Sequence, residues 1–274
     1  VFSVTGQLDK AKKSFKNILN MEPKNGLIWA EYGTVLTKLA NYEEGRDAYL
    51  KALEFKPDSP RVHLSLGHVY KTMGEIDNSI DSYKNTILQN NLSGEAYWSL
   101  ANLKTYSFSK NEIKDMEETL KGDMSDIERS QMYFALGKAY EVKKDFDKSF
   151  KNYYEGNKVK KSLIKYSSDD TTDNTKRILN FFNKENIQKL AKSSTEDRDP
   201  IFVLGMPRSG STLVDQIISS HSKVDGTQEL PNIIKIAAEL NSNNQKNYPE
   251  VLKELDESKP VSYTHLTLPT RYRV

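Results

Sequence analysis

The chain has 274 residues, 36% of them hydrophobic and 28% charged, with a net charge of +2 and no cysteine. These figures exclude disulfides, thiolate metal sites and thiol nucleophiles, and argue against a general nucleic-acid or membrane binder. The apolar content is also low for one compact globule, which usually runs at about 45–50%. An elongated helical array tolerates this, because each unit buries only the surface facing its neighbour. The length allows about two domains. No apolar run approaches the ~20 residues of a membrane-spanning helix. The lysine-rich KVKK at 158–161 reads as solvated helix surface.

The first half repeats. Gly33 and Gly67 stand 34 residues apart. Trp29, Leu36, Gly45, Tyr49, Ala52 and Pro57 surround the first; Leu66, Tyr70, Ser79 and Tyr83 surround the second. One period back lie Ala11, Phe15, Ile18 and Pro23. Small residues at this spacing let two helices of one unit approach closely, and the large ones are expected to fill the gaps between units. The prolines close the second helix, which they cannot continue. NLSGEAYWSLANLK (91–104) opens a further unit, with Tyr97, Leu100 and Ala101 on one face and an irregular second half. FALGKAY (134–140) and DFDKSFKNY (145–153) restore the pattern through Phe134, Leu136, Gly137, Tyr140, Phe150 and Tyr153. A 34-residue helix–turn–helix period resembles the tetratricopeptide repeat. Residues 1–160 are therefore expected to form an α solenoid of such repeats, four to five units long. Residues 161–199 are expected to be a helical connector, with YSSDDTTDNTKR (166–177) turn-rich, RILNFFNKENIQKLA (177–191) one helix, and SSTEDRDP (193–200) a polar break.

IFVLGMPRSGSTL (201–213) changes character. Ile201–Leu204 is apolar without alternation, as in a strand buried on both faces. A loop with two glycines follows, then a helical stripe at Leu213, Ile217 and Ile218. Strand, glycine loop and helix give the context of a phosphate loop, in which unpaired N–H groups and the helix dipole favour an anion. A triphosphate loop reads GxxxxGK[ST]; this one reads GxxxxGST, with Ser211 at the lysine position and the cation earlier, at Arg208. Such a site lacks the main γ-phosphate contact of ATP or GTP, but not the donors for a single 5′-phosphate.

PIFVLGMPRSGSTLVDQIISSH, followed by GTQELPNI (226–233), resembles the N-terminal part of a sulfotransferase domain. It is most similar to the tyrosylprotein sulfotransferase-like branch that carries tetratricopeptide repeats upstream. The resemblance implies an α/β P-loop-type sulfotransferase domain beginning at residues 200–260. The co-substrate it implies is 3′-phosphoadenosine 5′-phosphosulfate, with no metal. It places the 5′-phosphate on Pro207, Arg208, Ser209, Gly210, Ser211 and Thr212. Arg208 would also stabilise charge on the departing bridging oxygen, and Glu229 would be the general base toward the acceptor hydroxyl. Taken by position alone, Glu229 reads as an N-terminal helix residue just before PNIIKIAAEL, where the dipole favours a carboxylate. His221 reads as a helix-end residue, and Asp215 as helix surface.

The expected partner is a peptide or protein acceptor on the repeats, with protein tyrosine the acceptor the resemblance suggests; no nucleic acid or membrane is expected. The family's 3′-phosphate-binding serine and arginine have no counterpart here. The chain is therefore expected to be a C-terminally truncated and inactive fragment, with VSYTHLTLPTRYRV (261–274) a non-native tail. It opens at Val1 inside half a repeat, so its N-terminus is expected to be missing too; a cytoplasmic location is the expectation. The alternative is a non-catalytic repeat scaffold for protein interaction. A P-loop kinase relative is disfavoured by the missing lysine.

Overall fold

The computed structural model describes residues 8–191, 201–206, 208–224, 226, 237–238, 240–241 and 247–253. Contacts divide the chain into two units, residues 1–166 and 167–274.

The first unit is helical throughout its described residues. Its helices are α1 (Leu8–Met21), α2 (Gly26–Lys38), α3 (Tyr42–Phe55), α4 (Pro60–Met73), α5 (Ile76–Gln89), α6 (Gly94–Ala101), α7 (Lys110–Thr119), α8 (Asp126–Val142) and α9 (Phe146–Leu163). The pairs α2/α3, α4/α5 and α8/α9 pack as hairpins, and α6 packs on α8. α1 occupies the second-helix position of a preceding repeat and packs on α2.

The 34-residue period has a single physical device behind it. Each hairpin closes by laying a tyrosine from its second helix over a glycine of its first. A Cβ on Gly33 would lie 2.8 Å from the Tyr49 ring, on Gly67 2.5 Å from Tyr83, and on Gly137 2.7 Å from Tyr153. Twelve residues beyond the glycine comes a second small residue. Ser79 Oγ donates to the Gly67 carbonyl at 2.9 Å, and Ser149 Oγ to that of Gly137 at 2.8 Å. The tyrosine hydroxyls are paired as well: Tyr49 with Thr34 at 3.1 Å, Tyr83 with His68 Nδ1 at 2.9 Å, and Tyr153 donating to Glu141 at 2.9 Å. The tyrosines therefore fill space inside their own hairpins, and Tyr49 also joins the Leu66–Val69 cluster of the next unit.

The irregular unit is α6/α7. Ala101 stands one period after Gly67, but the tyrosine position falls on Glu117. That carboxylate accepts a hydrogen bond from Tyr140 of α8 at 2.6 Å, so the interaction crosses to the next unit. Tyr83, Leu100, Met116, Met132 and Leu136 form the main core around this junction. Phe150, expected within the apolar pattern, is instead 72% exposed and stacks on Tyr154. It lies one position past the buried Ser149, on the outer side of α9.

Substituting the hairpin glycines should separate two effects. Overpacking costs about 1–3 kcal/mol, and the better helix propensity of alanine returns about 1 kcal/mol. Tyr83 is fully buried and hydrogen-bonded, so it cannot yield; Gly67→Ala should cost about 2 kcal/mol net. Tyr153 is half-buried and can swing outward, so Gly137→Ala should be close to neutral. Denaturant melts of the two variants check this. Equal costs would show that the ring over the glycine does not set the price.

The second unit contains α10 (Ser168–Phe181), α11 (Lys184–Ala191), α12 (Ser211–Ser219) and a 3-10 turn, Glu250–Lys253. Two expectations are corrected here. The supposed turn-rich stretch is the first half of α10, because Ser167 caps it by accepting from Asp170 N at 3.1 Å, with Asp169 and Asp170 in the first turn. The expected single helix over 177–191 breaks at Phe182–Asn183. Asn186 Nδ2 donates to the Phe181 carbonyl at this break.

The expected α/β sheet is not observed: no strand is present among the described residues. A strand exists only by pairing its N–H and C=O groups with a neighbouring strand, and residues 201–206 have no such partner strand among the described residues. Phe202 is 69% and Leu204 90% exposed. α12 likewise has no buried residue: of its expected stripe, Leu213 and Ile217 are exposed and Ile218 is half-buried.

Candidate functional site

The sequence points to the loop before α12. Ser209 N donates to the Met206 carbonyl at 3.0 Å, which closes a four-residue turn. Arg208, its third residue, has φ +68°. Turns with positive φ at this position usually carry glycine there, and proline is favoured one place earlier. An arginine held in the left-handed region costs about 1 kcal/mol or more. Gly210 follows at φ +90° and is the N-cap of α12. Gly205 is also constrained, since a Cβ there would lie 2.5 Å from Ser209 Oγ.

The first intrahelical bond of α12 runs from Val214 N to the Gly210 carbonyl at 3.1 Å. The N–H groups of Ser211, Thr212 and Leu213 therefore precede the helical ladder, at the positive end of the helix dipole. Arg208 is exposed, and no carboxylate pairs with its guanidinium among the described residues. The serine and threonine hydroxyls of 209, 211 and 212 stand in the same short segment. These groups are the chemistry an oxyanion requires: N–H and O–H donors with one cation in the same segment, and no acid paired with that cation among the described residues.

The structure thus brings Arg208, Ser209, Gly210, Ser211 and Thr212 together. Pro207 and Glu229 lie outside the described residues. His221 sits just after α12, where its Nδ1 accepts from Lys223 N at 3.2 Å, as expected of a helix-end residue. Asp215 is half-buried, and its carbonyl accepts from Ser219 Oγ. No group of three metal-ligating side chains occurs among the described residues, and no described helix is long and apolar enough to cross a membrane. Sequence reasoning missed the positive φ of Arg208.

Comparison with known proteins bears on both units. Residues 200–268 match the model of a sulfotransferase family, and residues 33–74 match a TPR repeat model. An uncharacterized protein of Aquifex aeolicus (strain VF5) is 29% identical over 261 residues, covering 91% of this chain and 33% of that protein. The peroxisomal targeting signal receptor of Candida albicans is 29% identical over 133 residues, covering 48% of this chain and 21% of the receptor. The chain thus spans a third or less of the length of these relatives. Among solved structures, MamA aligns at 21% identity and a TM-score of 0.48, over 60% of this chain and 95% of MamA. YrrB, described as a TPR protein with an unusual peptide-binding site, aligns at 16% identity and a TM-score of 0.45, over 58% of this chain and 80% of its own. The chain thus joins a helical array that contains a TPR-repeat match to a segment similar to a sulfotransferase family.

Proposed function

We propose that the full protein transfers sulfonate from 3′-phosphoadenosine 5′-phosphosulfate to a hydroxyl group, with protein tyrosine the acceptor, and that the repeats hold the acceptor protein. The observation that carries this reading is the sulfotransferase family match over 200–268, laid on a loop whose Arg208 has no acidic partner among the described residues. In this reading the first-turn N–H groups of α12 and the hydroxyls of Ser209, Ser211 and Thr212 hold the 5′-phosphate. Arg208 offers its fork of donors to the bridging oxygen between phosphorus and sulfur. As the acceptor oxygen bonds to sulfur, the bridging S–O bond breaks and adenosine 3′,5′-bisphosphate leaves. The arginine then faces growing negative charge, which is where a preorganised cation contributes most. Glu229 takes the proton of the attacking hydroxyl.

The absence of a lysine at position 211 supports a donor with one phosphate at the loop over a triphosphate. The test is calorimetric titration of the full protein with adenosine 3′,5′-bisphosphate. The parent should bind, and Arg208→Ala should weaken binding at least tenfold, the loss of a charge-assisted pair worth about 1.5–3 kcal/mol. Equal affinity of parent and variant sinks the proposal. A parent that shows no nucleotide binding at all would favour the scaffold reading.

A further inference from the structure

A transferase for phenolic hydroxyls first meets the tyrosines of its own chain, and this one has 15. Among the described residues only two are exposed, Tyr154 at 60% and Tyr166 at 71%. The other described tyrosines are buried or half-buried, several with the hydroxyl already paired, as in Tyr83 with His68 and Tyr153 with Glu141. Tyr263 and Tyr272 lie outside the described residues.

The two exposed rings differ in what holds them. Tyr154 stands inside α9, and its ring stacks on Phe150 at 6.3 Å between centroids. Its backbone is spent on the helix, which is about 10 Å wide and cannot thread into a narrow site. Tyr166 belongs to no helix. It lies on the four-residue bridge 164–167 between α9 and α10. Both ends of that bridge are extended, Ile164 at φ −104°, ψ 121° and Ser167 at φ −121°, ψ 124°. The N–H groups of Lys165 and Tyr166 and the carbonyls of residues 164–166 take no hydrogen bond among the described residues. The Tyr166 hydroxyl and ring have no partner there either. The division between the two compact units falls directly after Tyr166, so the bridge belongs to neither core.

An extended segment with exposed side chains and unspent backbone groups is the form in which a peptide is usually bound, by main-chain hydrogen bonds and a pocket for a side chain. We infer that Tyr166 is itself an acceptor, so that the protein modifies its own interhelical bridge. This rests on the catalytic reading of the loop at Arg208. In the step, the Tyr166 phenolic oxygen bonds to the sulfur of 3′-phosphoadenosine 5′-phosphosulfate. The bond from sulfur to the bridging oxygen breaks, adenosine 3′,5′-bisphosphate leaves with that electron pair, and the phenolic proton passes to the base of the reaction. The product is a tyrosine sulfate ester, a fixed anion on the bridge.

The test is mass spectrometry of the full protein, as isolated and after incubation with 3′-phosphoadenosine 5′-phosphosulfate, run beside transfer to an added tyrosine peptide. The proteolytic fragment that holds Tyr166 should carry the mass of one sulfonate. Tyr166→Phe should lose that mass and still sulfonate the added peptide at the parent rate. It should also melt with the parent, because the hydroxyl has no bond to give up among the described residues. Arg208→Ala should slow both transfers together. The inference is overturned if the peptide is sulfonated while Tyr166 stays unmodified, if the Tyr166→Phe fragment keeps the added mass, or if the modification sits only on Tyr154 or another tyrosine. A full protein that sulfonates neither itself nor the peptide overturns the catalytic reading as well, so the two failures are told apart by the added peptide.

Discussion

Gly94→Ala is expected to destabilise the repeat unit by about 3 kcal/mol or more, the largest stability effect of any single methyl group in the described chain. A Cβ at this position would lie 2.2 Å from the Glu128 carbonyl oxygen and 2.9 Å from its carbonyl carbon. Those atoms belong to the backbone of α8, which cannot rotate away as a side chain can. The same contact is fixed from the other direction: the Glu128 carboxylate accepts from the N–H groups of Gly94 and Glu95, and so caps α6. Adding the methyl group must either part α6 from α8 or unwind the first turn of α6. Either response opens the core around Leu100, Met132 and Leu136. Glu128→Ala removes the cap and leaves the backbone approach intact, so it should cost only about 1 kcal/mol. Chemical denaturation of the two variants distinguishes them. Trp98 lies on α6, so its fluorescence in a Trp29→Phe background reports the local opening. A Gly94→Ala variant within about 0.5 kcal/mol of the parent would show that the two helices separate freely.

The repeats were legible because one interaction recurs. Glycine, a small residue twelve places on, and tyrosine sixteen places on are enough to close a hairpin, and each member is visible in the sequence. The role of the tyrosine was read only in part: Tyr49 and Tyr83 do reach the core of the next unit, but each ring first covers the glycine of its own hairpin, and periodicity gives the spacing of a contact but not which surface it covers. The α10 boundary was misread for a different reason. Ser, Asp and Thr are turn residues and also N-cap and first-turn residues, and Ser167 with Asp169 and Asp170 satisfies both descriptions until the backbone is seen. In the second unit the apolar pattern of Ile201–Leu204 was clear, but an extended segment becomes a strand only through a partner, a long-range property that no local pattern contains. At the loop, residue types were legible and backbone conformation was not: nothing in the identity of Arg208 announces a positive φ.

Arg208 and Glu229 are expected to separate binding from chemistry. If the family resemblance assigns both correctly, Arg208→Ala should lower both nucleotide affinity and transfer rate, because the guanidinium touches the donor in the ground state and more strongly as charge develops. Losing such a preorganised donor typically costs about 10²–10³ in rate. Arg208→Lys should recover little, since a point charge does not reproduce the two-pronged geometry of guanidinium against an oxyanion. Glu229→Gln should behave differently. It keeps the size of the side chain and should leave adenosine 3′,5′-bisphosphate affinity unchanged within about twofold. The rate should fall by about 10²–10⁴, the usual worth of a positioned general base. Its pH–rate profile should also lose the acidic limb, because the group that must be ionised is gone. The two quantities to measure are nucleotide affinity by calorimetry and sulfonate transfer to a tyrosine peptide, both on the full protein. A Glu229→Gln variant that transfers at the parent rate would return this residue to the role its position in the sequence alone suggests, a carboxylate at the start of the helix expected over PNIIKIAAEL. A variant that loses nucleotide affinity in step with rate would place it at the donor instead of the acceptor.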